Sequence, residues 1–288
     1  MSSLLQLFNG GKPKGASIPE PPSSNPNDNN PPPIRVTNID FPAYNLPEYA
    51  NRTAFVIDNL FTSDDCTRLL SAAESKSESG WIPAKLNAGG DKEYSDTSYR
   101  NSGRILRDDE ELAEWILEKL RPYLSEIEVI EDATRHAVLK GRRGLGVKSS
   151  AQLLRLNERL RFLRYGPGEF FKPHTDGSYV TPDKKQVSYY TLQIYLNGDK
   201  ESLKGGATRF WPRGYHILSS STKAKKSMHY VDVESRTGRV LIFEHEGLVH
   251  SGEEVIKGVK YSMRTDFMYI ENERADESQA ARNDDVSF

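Results

Sequence analysis

One cysteine, Cys66, is all that the 288 residues contain. A lone thiol closes no intramolecular disulfide, so nothing points to an oxidising compartment, and a reduced cytoplasmic or nuclear setting is expected. Net charge is equally scant: 39 Lys plus Arg stand against 41 Asp plus Glu, a balance of -2. That gives no broad electrostatic attraction to nucleic acid or to an anionic membrane, and neither is expected as a partner. No stretch approaches about 18 uninterrupted apolar residues, the length a membrane-spanning helix needs. The apolar run in the opening MSSLLQLFNGG is also too short for a secretory signal, so a soluble chain is expected.

What is present sorts into a tail, a helical region and a strand-rich region. Pro, Asn, Ser and Gly dominate from Asn9 to about Pro33, with too few apolar side chains to offset the entropy of ordering. Residues 1–35 are therefore expected to be a disordered tail, and 276–288 a flexible C-terminus. Between them, 36–275 reads as a single domain, with helical support over 36–155 and a β core over 156–272. FVIDNLF suggests a strand, and Thr62-Ser63-Asp64-Asp65 after it is a helix-opening capping box. A second helix is expected after Asp108 and Asp109. There Leu112, Trp115, Ile116, Leu120, Tyr123, Leu124 and Ile127 recur at three and four residue intervals, a packing stripe. From Arg159 the texture changes to RLRFLRY, SYYTLQIYL, GATRFW, HYVDVE, GRVLIFE and YSMRTDFMYI, separated by turn residues, the pattern of an antiparallel sandwich or barrel. The polar loops Thr181 to Gln186 and Pro212 to Lys226 read as solvated surface, or as lids over a site.

His174 and Asp176 lie two residues apart, so in extended chain both side chains leave the same face and can converge on one ion. His250, after the strand GRVLIFE and a turn, is the candidate third ligand. Two imidazoles and one carboxylate on one face of an octahedron leave three positions open, the arrangement of Fe(II) oxygenases, whereas zinc prefers a tetrahedral set often richer in Cys or His. His245 in the same HEGLVH segment reads as a supporting or turn residue, and His136, His216 and His229 as ordinary surface or core histidines.

Taken in order, RYGPGEFFKPHTDG, TLQIYLN, GGATRF, GRVLIFEHEGLVHSG and GVKYSMR resemble the prolyl 4-hydroxylase branch of the Fe(II)/2-oxoglutarate oxygenases. The resemblance spans about Arg159 to Tyr269, with a weaker echo in RNSGRIL near Arg100. It implies a mainly β fold, a double-stranded β-helix (jelly roll) flanked by N-terminal α-helices, and iron held by His174, Asp176 and His250. It places Tyr165 facing 2-oxoglutarate, Thr191 near that cosubstrate, and Lys260 on its distal carboxylate. Arg264 competes for this last role: it lies four residues on along the same strand, on the same face as Lys260 and Ser262, and its guanidinium is the better fork for a carboxylate.

The implied cofactors are Fe(II), 2-oxoglutarate and dioxygen, with ascorbate as an optional addition. The implied reaction is hydroxylation of an unactivated C–H bond in a peptidyl or free prolyl substrate. A small-molecule hydroxylase of specialised metabolism is the alternative. So is a catalytically silent jelly-roll binding module recruiting an acidic partner through KGRRGLGVK (Lys140 to Lys148). A zinc hydrolase is disfavoured because no carboxylate or histidine is placed as a general base.

Overall fold

The computed structural model describes residues 15–20, 32–75, 77–87, 92–131, 150–215 and 228–272. Two β-sheets dominate it. The smaller runs, edge to edge, through the strands Gly15–Ser17, Tyr230–Val233, Thr208–Phe210, His250–Gly252, Phe170–His174 and Arg100–Asn101. The larger runs through Arg35–Asn38, Ala54–Asp58, Val240–Glu244, Gln186–Tyr195, Lys260–Asn272, Arg159–Tyr165, Gly103–Asp108 and Ile82–Pro83. Ser150–Leu156 pairs with the far half of Lys260–Asn272. Its long strands are antiparallel neighbours, and the fold is the mainly β jelly roll expected from the sequence.

Two helices cover the outer face of the larger sheet. Helix α1 (Ser63–Ser75) opens on the expected capping box: the Thr62 amide donates to Asp65 Oδ2 at 3.0 Å and the Asp65 amide to Thr62 Oγ1 at 3.1 Å. Helix α2 (Glu110–Leu120) opens on Asp109, whose carboxylate accepts from the Leu112 amide at 2.9 Å. It stops earlier than the hydrophobic stripe suggested. Pro122 carries no N–H and cannot continue an α-helix, so Arg121–Tyr123 tighten into a 3-10 turn. Leu124 and Ile127 still reach the same core beyond that turn.

Strand parity decides which side chains meet these helices. Phe55, Ile57, Leu192, Ile194, Val240, Ile242, Met263 and Phe267 face outward to Leu69, Ile116 and Leu120. Burying each such side chain contributes roughly 1.5–3 kcal/mol. The alternate residues point between the sheets. There Val56, Leu241, Phe243 and Tyr195 pack against Phe210, Val231 and Val233 of the smaller sheet. Further along the same inner face the apolar packing gives way to charged and polar groups, and the candidate site lies there.

One expectation fails. Within the tail, Gly15–Ser17 form a strand parallel to Tyr230–Val233, and Ile18, 3% exposed, is buried in the inter-sheet core. The ordering is supplied from a distance: the Ile18 amide donates to the Asp232 carbonyl at 2.9 Å. Most of the loop from Pro212 to Lys226, the stretch Lys140 to Lys148, His136, His216 and the segment 276–288 lie outside the described residues. No helix among the described residues is long and apolar enough to cross a membrane.

Candidate metal centre and cosubstrate pocket

His174 ends one strand and His250 begins its antiparallel neighbour in the smaller sheet, and the two residues are register partners. Pairing of that kind brings side chains from distant parts of the chain within a few ångströms. The imidazole centroids are 4.3 Å apart. Asp176, in the loop that follows His174, turns its carboxylate to both rings. One ligand atom from each of His174, Asp176 and His250 lies within 4.8 Å of the others.

The rings are oriented by the backbone. His174 Nδ1 lies 2.8 Å from the Lys172 carbonyl and His250 Nδ1 3.0 Å from that of Leu248. A carbonyl only accepts, so the proton sits on Nδ1 and the Nε2 lone pair of each ring is free. Those Nε2 atoms face Asp176, at 3.8 Å for His174 and 3.7 Å for His250. Burial, together with the neighbouring imidazole and Arg264, holds the His174 pKa well below the ordinary histidine value, and burial likewise lowers that of His250. Both are therefore neutral donors at physiological pH. Burial pushes the Asp176 carboxyl up, but Arg264 and the surrounding imidazoles outweigh it and hold the group far below the usual carboxylate range. Two neutral imidazoles and one ionised carboxylate, with their lone pairs convergent, suit a divalent ion of the Fe(II) type.

Asp176 is gripped by two more groups. Thr191 Oγ1 donates to its Oδ2 at 2.7 Å, and Arg264 Nη1 to its Oδ1 at 2.9 Å. The site thus differs from expectation at Thr191, which is fully buried against the aspartate and not among the residues lining the pocket. Arg264 also lies 3.5 Å from Asp266, so both of its ion pairs are with carboxylates of the chain. Of the two candidate anchors, this leaves Lys260 unspent. Lys260 is 3% exposed and takes part in no salt bridge among the described residues. Its ammonium donates to the Gly206 carbonyl at 2.6 Å and lies 5.4 Å from the centre of the Tyr165 ring and 5.3 Å from that of Tyr195. Burial pushes its pKa down to about 8, against the pull of Glu234 and Glu253. Gly206 is glycine for a reason of space: at φ +75 a Cβ there would lie 3.2 Å from Lys260 Cδ.

One pocket is lined both by His174, Asp176 and His250 and by Tyr165, Lys260 and Ser262. A buried cation without a carboxylate partner, lining the same pocket as an ionisable metal-ligand set, fits an anionic chelator such as 2-oxoglutarate. Gln193, Thr208 and Arg100 also line this pocket, and sequence reading gave them no role. Gln193 was within reach: Thr191, Gln193 and Tyr195 share one face of their strand. Arg100 lies 4.5 Å from the centre of the Phe171 ring, which stacks on His174 at 3.6 Å. His245, fully buried, is no ligand candidate here; its Nε2 is 3.4 Å from Asp266 and its Nδ1 3.4 Å from Ser188 Oγ.

Residues 160–268 match the family model of the 2OG-Fe(II) oxygenase superfamily. No curated relative matches the chain. Among solved structures it is similar to a collagen prolyl hydroxylase from Paramecium Bursaria Chlorella virus-1, at 19% identity over 75% of this chain and 96% of that one, with a TM-score of 0.44. A Pseudomonas putida prolyl-4-hydroxylase is 16% identical over 77% of this chain and 95% of its own, with a TM-score of 0.46. A non-heme alpha ketoglutarate dependent carbocyclase from nogalamycin biosynthesis is also 16% identical, over 83% and 89%, with a TM-score of 0.47. Likenesses this distant do not bear on substrate. The family match over residues 160–268 and the convergent His-Asp-His group within them support a 2-oxoglutarate-dependent dioxygenase of the 2OG-Fe(II) type, one that uses Fe(II), 2-oxoglutarate and dioxygen.

Proposed function

We propose that the chain hydroxylates an unactivated C–H bond of a prolyl substrate, peptidyl or free, with iron held by His174, Asp176 and His250. Lys260 then holds the distal carboxylate of 2-oxoglutarate, and Tyr165 walls the same pocket. The observation that carries this reading is the pairing of a preformed three-ligand face with a buried, uncompensated lysine in one pocket. The ion, when bound, supplies the oxygen chemistry, with oxidative decarboxylation of 2-oxoglutarate to succinate and carbon dioxide. The residues of the chain do the rest. Lys172 and Leu248 carbonyls fix the histidine tautomers, Thr191 and Arg264 fix the carboxylate, and Phe171 and Phe243 exclude water from the imidazoles.

The prolyl assignment is supported by the ordered motifs from Arg159 to Tyr269. A second reading, a free small molecule bearing a carboxylate, is favoured by Arg100. It adds a third cation to a pocket whose lining holds one acidic residue, Asp176. Both readings are tested by mass spectrometry for the gain of one oxygen, after incubation with Fe(II), 2-oxoglutarate and a panel of proline peptides, free proline and cell metabolites. Oxygen gained by a proline peptide or by free proline supports the prolyl reading; gain confined to a metabolite without proline supports the other. No 2-oxoglutarate consumed with any substrate would instead favour the silent binding module.

A further inference from the structure

Proline aside, Ile18 is the only apolar side chain larger than alanine between Asn9 and Pro33. The fold buries that one side chain in the inter-sheet core, in one cluster with Tyr195, Phe210, Val231 and Val233. Its neighbours are held through the backbone. Gly15–Ser17 extend the smaller sheet parallel to Tyr230–Val233, and the Ile18 amide continues the ladder by donating to the Asp232 carbonyl at 2.9 Å. Position 15 has room for glycine alone: a Cβ there would lie 2.0 Å from Tyr230 Cζ, in a ring that the Arg209 guanidinium covers at 3.6 Å. At the far end the Glu20 carboxylate pairs with both Lys200 and Arg236. A sheet edge, a socket for one branched side chain and two cations make up a peptide site of the strand-addition kind. The fit is loose. A cavity of about 310 Å³ remains between this segment and the turn at 198–205, and the Glu20 side chain is half-exposed, where ion pairs hold weakly. The segment therefore resembles a ligand tethered to its receptor more than a core strand.

We propose that this edge is a docking site for a short extended peptide, one branched apolar residue followed two residues on by a carboxylate, and that its filling tightens 2-oxoglutarate binding. Residues 15–20 are its occupant in this chain. The coupling rests on the Lys260 reading given above. Leu203 lines the same cavity as Ile18 and packs with Leu163 and Tyr165, which line the cosubstrate pocket. Gly205, also in the cavity lining, precedes Gly206, whose carbonyl accepts from the Lys260 ammonium. A docked segment thus braces the turn on which the Lys260 ammonium and the Tyr165 ring depend, and an empty edge leaves that turn without support on one side.

The test uses the full chain, as wild type and as Gly15→Val and Ile18→Asp, which spoil the docked segment and leave its receptor surface intact. The probe is a fluorescein-labelled peptide spanning residues 14–21, followed by anisotropy, and 2-oxoglutarate affinity is measured by calorimetry on the Mn(II)-loaded chain. Wild type takes up no peptide below about 1 mM, because its own tethered segment competes at a concentration of that order. Both variants take up the peptide saturably, and the same peptide carrying Ile18→Asp does not bind. Their 2-oxoglutarate affinity is at least about fivefold weaker than that of the wild type, saturating peptide restores it, and 2-oxoglutarate tightens the peptide by the same factor. Folded variants that take up no peptide overturn the docking site, and 2-oxoglutarate affinity unchanged from wild type overturns the coupling. If Ile18→Asp does not fold, Gly15→Val, which alters no core side chain, decides. A wild-type chain that binds no 2-oxoglutarate would instead sink the Lys260 reading, with peptide uptake by Gly15→Val still deciding the docking site.

Discussion

The strand Lys260–Asn272 has two unlike faces. Met263, Phe267 and Tyr269 bury apolar surface against the helix-backed core. On the other side Lys260 and Arg264 line the pocket, and Asp266 is buried beside them. Both faces are largely removed from water, Arg264 less so than the rest, yet they contribute in opposite directions. The apolar face stabilises the fold through area removed from water. The charged face costs desolvation, and only Arg264 and Asp266 recover it by pairing. Lys260 is unpaired among the described residues. A fold keeps such a group for what it binds, which is why the buried lysine says more about function than any residue on the apolar side.

The comparison breaks most visibly at Phe267. Truncation to Ala should cost about 3–5 kcal/mol of unfolding free energy in denaturant titration, while the folded fraction binds Mn(II) as the wild type does. A loss of metal affinity in the folded fraction would mean that the two faces are not separable.

Lys260→Met should act in the opposite sense. Its 2-oxoglutarate affinity should fall between roughly thirtyfold and a few thousandfold by titration. Its unfolding free energy at pH 7 should rise, by at most roughly 3 kcal/mol. The sign follows from the lowered pKa. With the folded lysine at about 8 and the unfolded one at 10.5, the unfolded chain holds more protons across that window, so wild-type stability climbs with pH through it. The advantage of the variant should therefore fade as pH approaches the upper value.

Thr191→Val keeps the shape and removes the hydroxyl that holds Asp176. Mn(II) affinity should weaken about tenfold to a hundredfold, with little change in 2-oxoglutarate binding to the loaded protein. Were 2-oxoglutarate binding to weaken and metal binding to hold, Thr191 would belong to the cosubstrate after all. The smallest effect concerns pH. Affinity for 2-oxoglutarate should be flat below pH 8 and weaken by up to about tenfold per unit above it, as Lys260 loses its proton in the free protein. A flat profile to pH 10 would show that Lys260 is not the anchor.

Local pattern carried much of this into the sequence. Period-two alternation foretold that Lys260, Ser262 and Arg264 share a face, and the His-x-Asp spacing foretold convergence. A reciprocal cap marked where α1 begins, and Asp109 marked the start of α2. What escaped depends on contacts made far along the chain. Gly15–Ser17 has no strand signal of its own; it is ordered by pairing with Tyr230–Val233 and by burial of Ile18. The sequence placed Lys260 and Arg264 on one face but could not say which would be spent on a carboxylate of the chain. That choice is made by the loop carrying Asp176, which folds over Arg264 and leaves Lys260 alone.

Titration of the metal-free chain with Mn(II), followed by electron paramagnetic resonance in the wild type and in His250→Ala, bears most directly on the convergence of His174, Asp176 and His250. One ion per chain is expected in the wild type, with a spectrum that shifts on adding 2-oxoglutarate, and a loss of both features in the variant. Binding that persists unchanged without the His250 imidazole would contradict it.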